Sequence, residues 1–151
     1  MTNSKGTKKR SIPAVEGFFT WPSEKPQLIA SRCTACRRYY FPKVIRCTNP
    51  DCGRAVEEAL LSTKGILWSY TAQHFMPPPP YHPPDNNPKE WTPYGVALVE
   101  LPEGIRVIGM VTRCEIKDLK IGMPMEMIVE RMYQDEHGND VLTWKFMPAK
   151  A

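Results

Sequence analysis

Four cysteines within twenty residues, Cys33, Cys36, Cys47 and Cys52, constrain this chain more than any other feature. They read C-x2-C-x10-C-x4-C in a chain with one further cysteine, Cys114. A C-x2-C pair lets one tight turn aim two sulfurs at a common point, and a second pair closes a tetrahedral four-thiolate site. Structural zinc is the expected metal. Iron in a rubredoxin-like site uses the same ligands, and spacing alone leaves it open. Two disulfides are the plain alternative, but they leave Cys114 odd, and no apolar signal segment precedes the cluster.

The remaining chain bounds the function class. No apolar run approaches the 18 residues of a membrane span, so a cytoplasmic protein without a membrane partner is expected. The net charge is +4, with Lys5, Lys8, Lys9 and Arg10 concentrated at the start. The rest is near neutral, which disfavours a dedicated nucleic-acid binder. Seven of the sixteen prolines fall between Pro77 and Pro88, so a long irregular loop interrupts the chain.

The pattern predicts a mainly β protein. A disordered basic arm is expected over 1–11, then a short N-terminal helix around Pro13 to Phe19 and a rubredoxin-like zinc ribbon, together spanning 12–62. Strands at Leu28 to Arg32 and Tyr39 to Phe41 lead into and out of the first cysteine pair. From 63 to 151, β-branched and aromatic segments alternate with turn residues. Five strands are predicted at Ile66 to Phe75, Tyr94 to Leu101, Arg106 to Cys114, Met125 to Tyr133 and Val141 to Phe146. Hairpin turns join the second to the third and the fourth to the fifth, whereas the third-to-fourth connection is longer. Five strands with this connectivity predict a C-terminal five-stranded OB-fold barrel, with a proline-rich insertion at 76–92.

Several segments together carry a family resemblance: Cys33-Thr34-Ala35-Cys36, Tyr40-Phe41-Pro42, Cys52-Gly53, Gly65 to Thr71, Pro93 to Leu101 and Ile121 to Met125. The chain resembles the acyl-CoA-associated family with a rubredoxin-like zinc ribbon and a C-terminal OB-fold. It departs from that pattern at Arg37, where glycine is usual, and in the stretched C-x4-C pair. The resemblance implies a small non-catalytic subunit of a thiolase complex, such as benzoylsuccinyl-CoA thiolase in aromatic compound degradation. The expected assembly is a heterotetramer with a larger thiolase-type catalytic subunit, and the ligand of the complex is a CoA thioester. A subunit of an acyl-CoA hydratase or aldolase assembly is the alternative.

The side chains agree with a role outside catalysis. Cys114 is the one spare thiol and falls in an apolar strand, where a small core residue is expected. His74, His82 and His137 are scattered over a strand end, the proline loop and a turn. Arg37, Arg38, Lys43 and Arg46 surround the cysteines and the pair Tyr39-Tyr40, which can face adenine or a partner surface. A solvated basic face is their plain reading; gripping CoA phosphates is the sharper one, since guanidinium suits that geometry. In the proline loop, Met76, Tyr81, His82 and Trp91 are anchors for docking on a partner enzyme. An OB barrel can also bind single strands by stacking bases, here on Trp68, Tyr70 and Tyr133.

Overall fold

The computed structural model describes residues 10–79, 81–83 and 87–150. Among these residues, nine strands form two sheets: β1 (Ser11–Pro13), β2 (Ile29–Cys33), β3 (Tyr39–Tyr40), β4 (Val56–Leu60), β5 (Lys64–Gln73), β6 (Tyr94–Glu100), β7 (Arg106–Val111), β8 (Pro124–Gln134) and β9 (Asp140–Pro148). No helix among the described residues is long and apolar enough to cross a membrane.

Strands β5 to β9 close into the expected barrel. β5 pairs with β6 and β6 with β7 in antiparallel fashion; β7 runs parallel to β9; β8 then pairs antiparallel with both β9 and β5. Every barrel strand thus has a partner on each side, although not along its whole length, and the one parallel pairing within the barrel requires the longer connection between β7 and β8. That connection carries a 3-10 turn at Ile116–Asp118. The β6–β7 and β8–β9 turns place Gly104 and Gly138 at φ of +81° and +80°, values that glycine adopts without strain.

Inward positions alternate along the strands. Leu67, Val99, Val107, Met125 and Phe146 are fully buried, and Leu28, Ala30 and Leu61 belong to the same cluster. One hydrophobic core therefore serves both the barrel and the small sheet β3-β2-β4. Close approach explains two strand glycines. A Cβ on Gly109 would lie 2.6 Å from the Phe146 ring, and one on Gly65 would collide with the Glu100 carbonyl.

The N-terminal segment differs from expectation. The predicted helix over 12–19 is absent, because Ser11–Pro13 is instead a strand parallel to β9. Ala14 N–H donates to the Leu142 carbonyl at 2.7 Å, and Asp140 N–H donates to the Arg10 carbonyl at 2.8 Å. The reason is competitive. Gly17 sits at φ +84°, so few residues remain for a helical nucleus, which is costly at any length. β7 meets β9 only at Lys145 and Phe146, leaving the edge from Asp140 to Leu142 open for pairing. Pro13, without an N–H, is tolerated on such an edge strand. Of the expected basic arm, residues 1–9 lie outside the described residues.

Candidate metal centre

Two turns bring the cysteines together. The first begins where β2 ends at Cys33, and its closing bonds run from Cys33 N–H to the Arg38 carbonyl at 2.9 Å and from Arg37 N–H to the Cys33 carbonyl at 3.1 Å. This geometry places Arg37 at φ +60°, in the left-handed region. A glycine is favoured there on steric grounds, which gives the departure at this position its physical meaning. In the second turn, Cys52 and Gly53 N–H both donate to the Asn49 carbonyl at 3.0 Å, and Cys47 N–H donates to the Arg54 carbonyl at 3.0 Å. Gly53 takes φ +61°.

The four sulfurs lie within 4.8 Å of one another. Cys33 and Cys52 Sγ are 3.6 Å apart, as are Cys36 and Cys47 Sγ. A disulfide needs about 2.05 Å, so the pairs are not bonded to each other. Tetrahedral zinc with Zn–S near 2.3 Å separates its sulfurs by about 3.8 Å, and the donor set fits that ion. Cys33, Cys36, Cys47 and Cys52 are thus positioned for metal binding, as the spacing predicts.

The surroundings favour thiolate. The N–H groups of Cys36 and Ala35 point at Cys33 Sγ, at 3.5 and 3.4 Å, and hold that thiol down at about 6 against the opposing effect of burial. The Tyr40 hydroxyl, 3.1 Å from Cys47 Sγ, is the main cause lowering the Cys47 thiol. The Arg38 amide favours ionisation of Cys36, but burial and the neighbouring sulfurs outweigh it and raise that thiol to about 11. Without a cation, crowding resists the last ionisation; a bound dication relieves it, and binding must release protons.

The basic residues of the ribbon lie at its surface. Arg37, Arg38, Lys43 and Arg46 are all exposed, and Lys43 pairs with Glu58 at 3.3 Å. Arg32 lies over the Tyr39 ring. In the proline loop, Tyr81 stacks on Tyr94 at 6.4 Å, Trp91 meets Tyr94 edge-on at 6.3 Å, and His82 stacks on Tyr133 at 4.1 Å. Three of the four expected anchors thus pack on the chain's own barrel, while Met76 stays exposed beside Phe75. Cys114 is half-buried against the core, and burial raises its thiol.

Sequence reasoning named Trp68 and Tyr70 as candidate stacking rings but missed the apolar groove that they form with β6 and β7. Trp68 and Tyr70 on β5, Val96 and Leu98 on β6 and Ile108 on β7 line a shallow apolar groove. Ile108 is 63% exposed and Trp68 47%. The signal was available in Tyr94–Glu100, YGVALVE, where both alternating faces are apolar although a one-side-buried strand needs only one. Arg106 covers the Trp68 ring at 3.8 Å. Two of the three candidate base-stacking rings, Trp68 and Tyr133, thus already carry a neighbour on one face.

Comparison with known proteins follows the same two parts. Residues 24–57 match the family profile described as ChsH2, rubredoxin-like zinc ribbon domain, and residues 58–130 match ChsH2, C-terminal OB-fold domain. A DUF35 domain-containing scaffold protein of Methanocaldococcus jannaschii is 35% identical over 130 residues, spanning 83% of this chain and 84% of that one. A counterpart in Methanothermobacter thermautotrophicus is 32% identical, over 83% and 89%. A probable enoyl-CoA hydratase alpha subunit of Thermomonospora curvata is 30% identical over 82% of this chain but only 37% of its own length. Among solved structures, a chain of the Ltp2-ChsH2(DUF35) aldolase superposes with a TM-score of 0.62 at 28% identity, covering 82% of this chain and 86% of that one.

Proposed function

The chain belongs to the ChsH2 family of zinc-ribbon and OB-fold proteins, and from that premise we propose that it is the accessory subunit of a larger catalytic subunit acting on acyl-CoA thioesters. The observation that carries this reading is the apolar groove on the closed barrel, because a monomeric surface seldom presents two half-exposed aromatics and an exposed isoleucine side by side. Phe75 and Met76, just past the end of β5, are further exposed apolar side chains. Tyr81, His82 and Trp91 of the proline loop are braced on Tyr94 and Tyr133, so these side chains lose little ordering entropy on docking.

The partner proposed is a thiolase-type enzyme, with the catalytic cysteine and histidines on that subunit and a heterotetramer as the assembly. Arg37, Arg38, Lys43 and Arg46 are the cations proposed to meet CoA phosphates, since all are exposed and they neighbour the cysteines in sequence. A second reading, an aldolase or hydratase partner, is favoured by the aldolase chain in the structural match and the hydratase relative.

Native mass determination of the tagged protein from its own cells tests the assembly. A stoichiometric larger partner is expected, whereas a protein recovered alone or with nucleic acid overturns the reading. The purified complex then separates the two partners. Thiolysis consumes free CoA in the cleavage step; retro-aldol cleavage does not.

A further inference from the structure

Tyr40 lies on β3, opposite Ser31 of β2, and its ring is half-buried beside the cysteine cluster. Its hydroxyl is 3.1 Å from Cys47 Sγ and 3.2 Å from the Thr48 amide nitrogen. Either atom of the Tyr40–Cys47 contact can donate while the sulfur is a thiol, but a metal-bound thiolate can only accept. A phenol carries one donor and can accept, while the Thr48 N–H can only donate. The oxygen accepts from Thr48, so the phenolic proton is free for the sulfur.

We propose that Tyr40 is a positioning residue of the metal centre, holding the Cys47 thiolate and the second cysteine turn in ligating geometry through one hydroxyl. The inference rests on the four-cysteine site fitting zinc, and it concerns a residue that is not itself a ligand. The Cys47 sulfur receives the Asn49 amide much as Cys33 receives amides of its own turn; what sets Cys47 apart is a side-chain hydroxyl, that of Tyr40. Cys47 is reached through residues 41–46, which contain no strand. That stretch is tied down at Val44, whose N–H donates to the Ser31 hydroxyl and whose carbonyl accepts from it, both at 3.0 Å. From Val44 onward, the Tyr40 hydroxyl is the side-chain group that grips both Cys47 and the residue after it. Hydrogen bonds of this kind orient ligands, and losing one typically weakens metal affinity about 10–100-fold.

The test compares the full-length zinc-loaded protein with Tyr40→Phe and Tyr39→Phe. Tyr39 is the control, a neighbouring tyrosine whose ring lies under Arg32. Competition with a chromophoric chelator should show zinc held at least about 10-fold more weakly by Tyr40→Phe and unchanged in Tyr39→Phe. In the cobalt-substituted protein, the sulfur-to-metal charge-transfer band should move to longer wavelength in Tyr40→Phe, because a thiolate without its donor gives up an electron more readily. A merely structural role for the ring leaves that band in place. Equal zinc affinity with a superimposable cobalt spectrum overturns the proposal, as does an equal effect of Tyr39→Phe. Should Tyr40→Phe fail to fold, NMR of the zinc-loaded wild type decides. A Tyr40 hydroxyl proton protected from exchange is expected, and a freely exchanging one overturns the proposal.

Discussion

The indole of Trp144 meets the ring of Phe41 edge to face, with centroids 5.5 Å apart and planes at 86°. Phe18 completes the triangle at 5.8 Å from Phe41 and 5.7 Å from Trp144. One ring comes from the ribbon, one from the last barrel strand and one from the N-terminal segment. The cluster therefore joins three parts of the chain beside their shared core. Trp144 is also fixed from behind, since its Nε1–H donates to the Ile108 carbonyl at 2.9 Å.

Phe41→Ala isolates the packing contribution of that triangle, because it spares the Trp144 hydrogen bond. The half-buried ring and its two aromatic contacts together are worth about 2–3 kcal/mol. Urea denaturation of the zinc-loaded protein should show a lower midpoint with the ribbon and barrel signals no longer coincident. An unchanged midpoint would mean that the two parts are held by the apolar core alone.

Glycines at different places in the barrel should fail differently. Gly109→Ala drives a Cβ into Phe146, a ring with no exposed surface and so nowhere to yield. Overpacking of this kind costs about 1–3 kcal/mol. Gly104→Ala meets open space and carries only its positive φ, about 1–2 kcal/mol. Gly65→Ala should be worst, since it strikes the Glu100 backbone itself. Thermal melts of the three variants should rank Gly65→Ala lowest and Gly104→Ala highest. Any other order contradicts the packing read here.

Metal removal should reach beyond the ribbon. Leu28, Ala30 and Leu61 lie in the same buried cluster as Leu67 and Val99, so a collapsed cysteine site withdraws side chains from the barrel's core. Chelation, or Cys47→Ser, is expected to lower the melting temperature by roughly 10 °C and to abolish association with the catalytic partner. A chelated protein that melts like the zinc-loaded one would show that the sheet β3-β2-β4 stands without its metal.

What was readable in advance was whatever local chemistry fixes. The cysteine spacing marked the metal site, and period-two alternation found all five barrel strands to within a few residues. β4 was missed because Val56–Leu60, VEEAL, alternates weakly and has two adjacent glutamates. β1 straddles the expected arm and the expected helix, since nothing in Ser11–Pro13 reveals that β9 offers an open edge. The stacking of His82 on Tyr133 and the bond from Tyr40 to Cys47 depend on side chains meeting across the fold. Tyr40 was instead read as a surface for adenine or a partner, as aromatic type alone does not say which way a hydroxyl points.

The β8–β9 turn should make the protein's acid stability depend on one carboxylate. Asp135 Oδ1 accepts from the amides of His137 at 2.9 Å and Asn139 at 2.8 Å, and Oδ2 accepts from the Asn139 side chain at 3.1 Å. Burial opposes ionisation, but the Asn139 and His137 bonds prevail and hold the carboxyl below its ordinary value. A depressed folded-state pKa means that the native state binds its proton less readily than the unfolded chain does. The stabilisation is then complete above the unfolded value, about 3.9, and disappears as pH falls through the lower folded value. Asp135→Asn keeps the shape and removes the charge. The wild type should melt above this variant near neutral pH, and the gap should narrow only below about pH 4 as the wild-type carboxyl becomes neutral like the amide. A gap that stays constant into strong acid would show that shape, and not charge, is what Asp135 contributes to the turn.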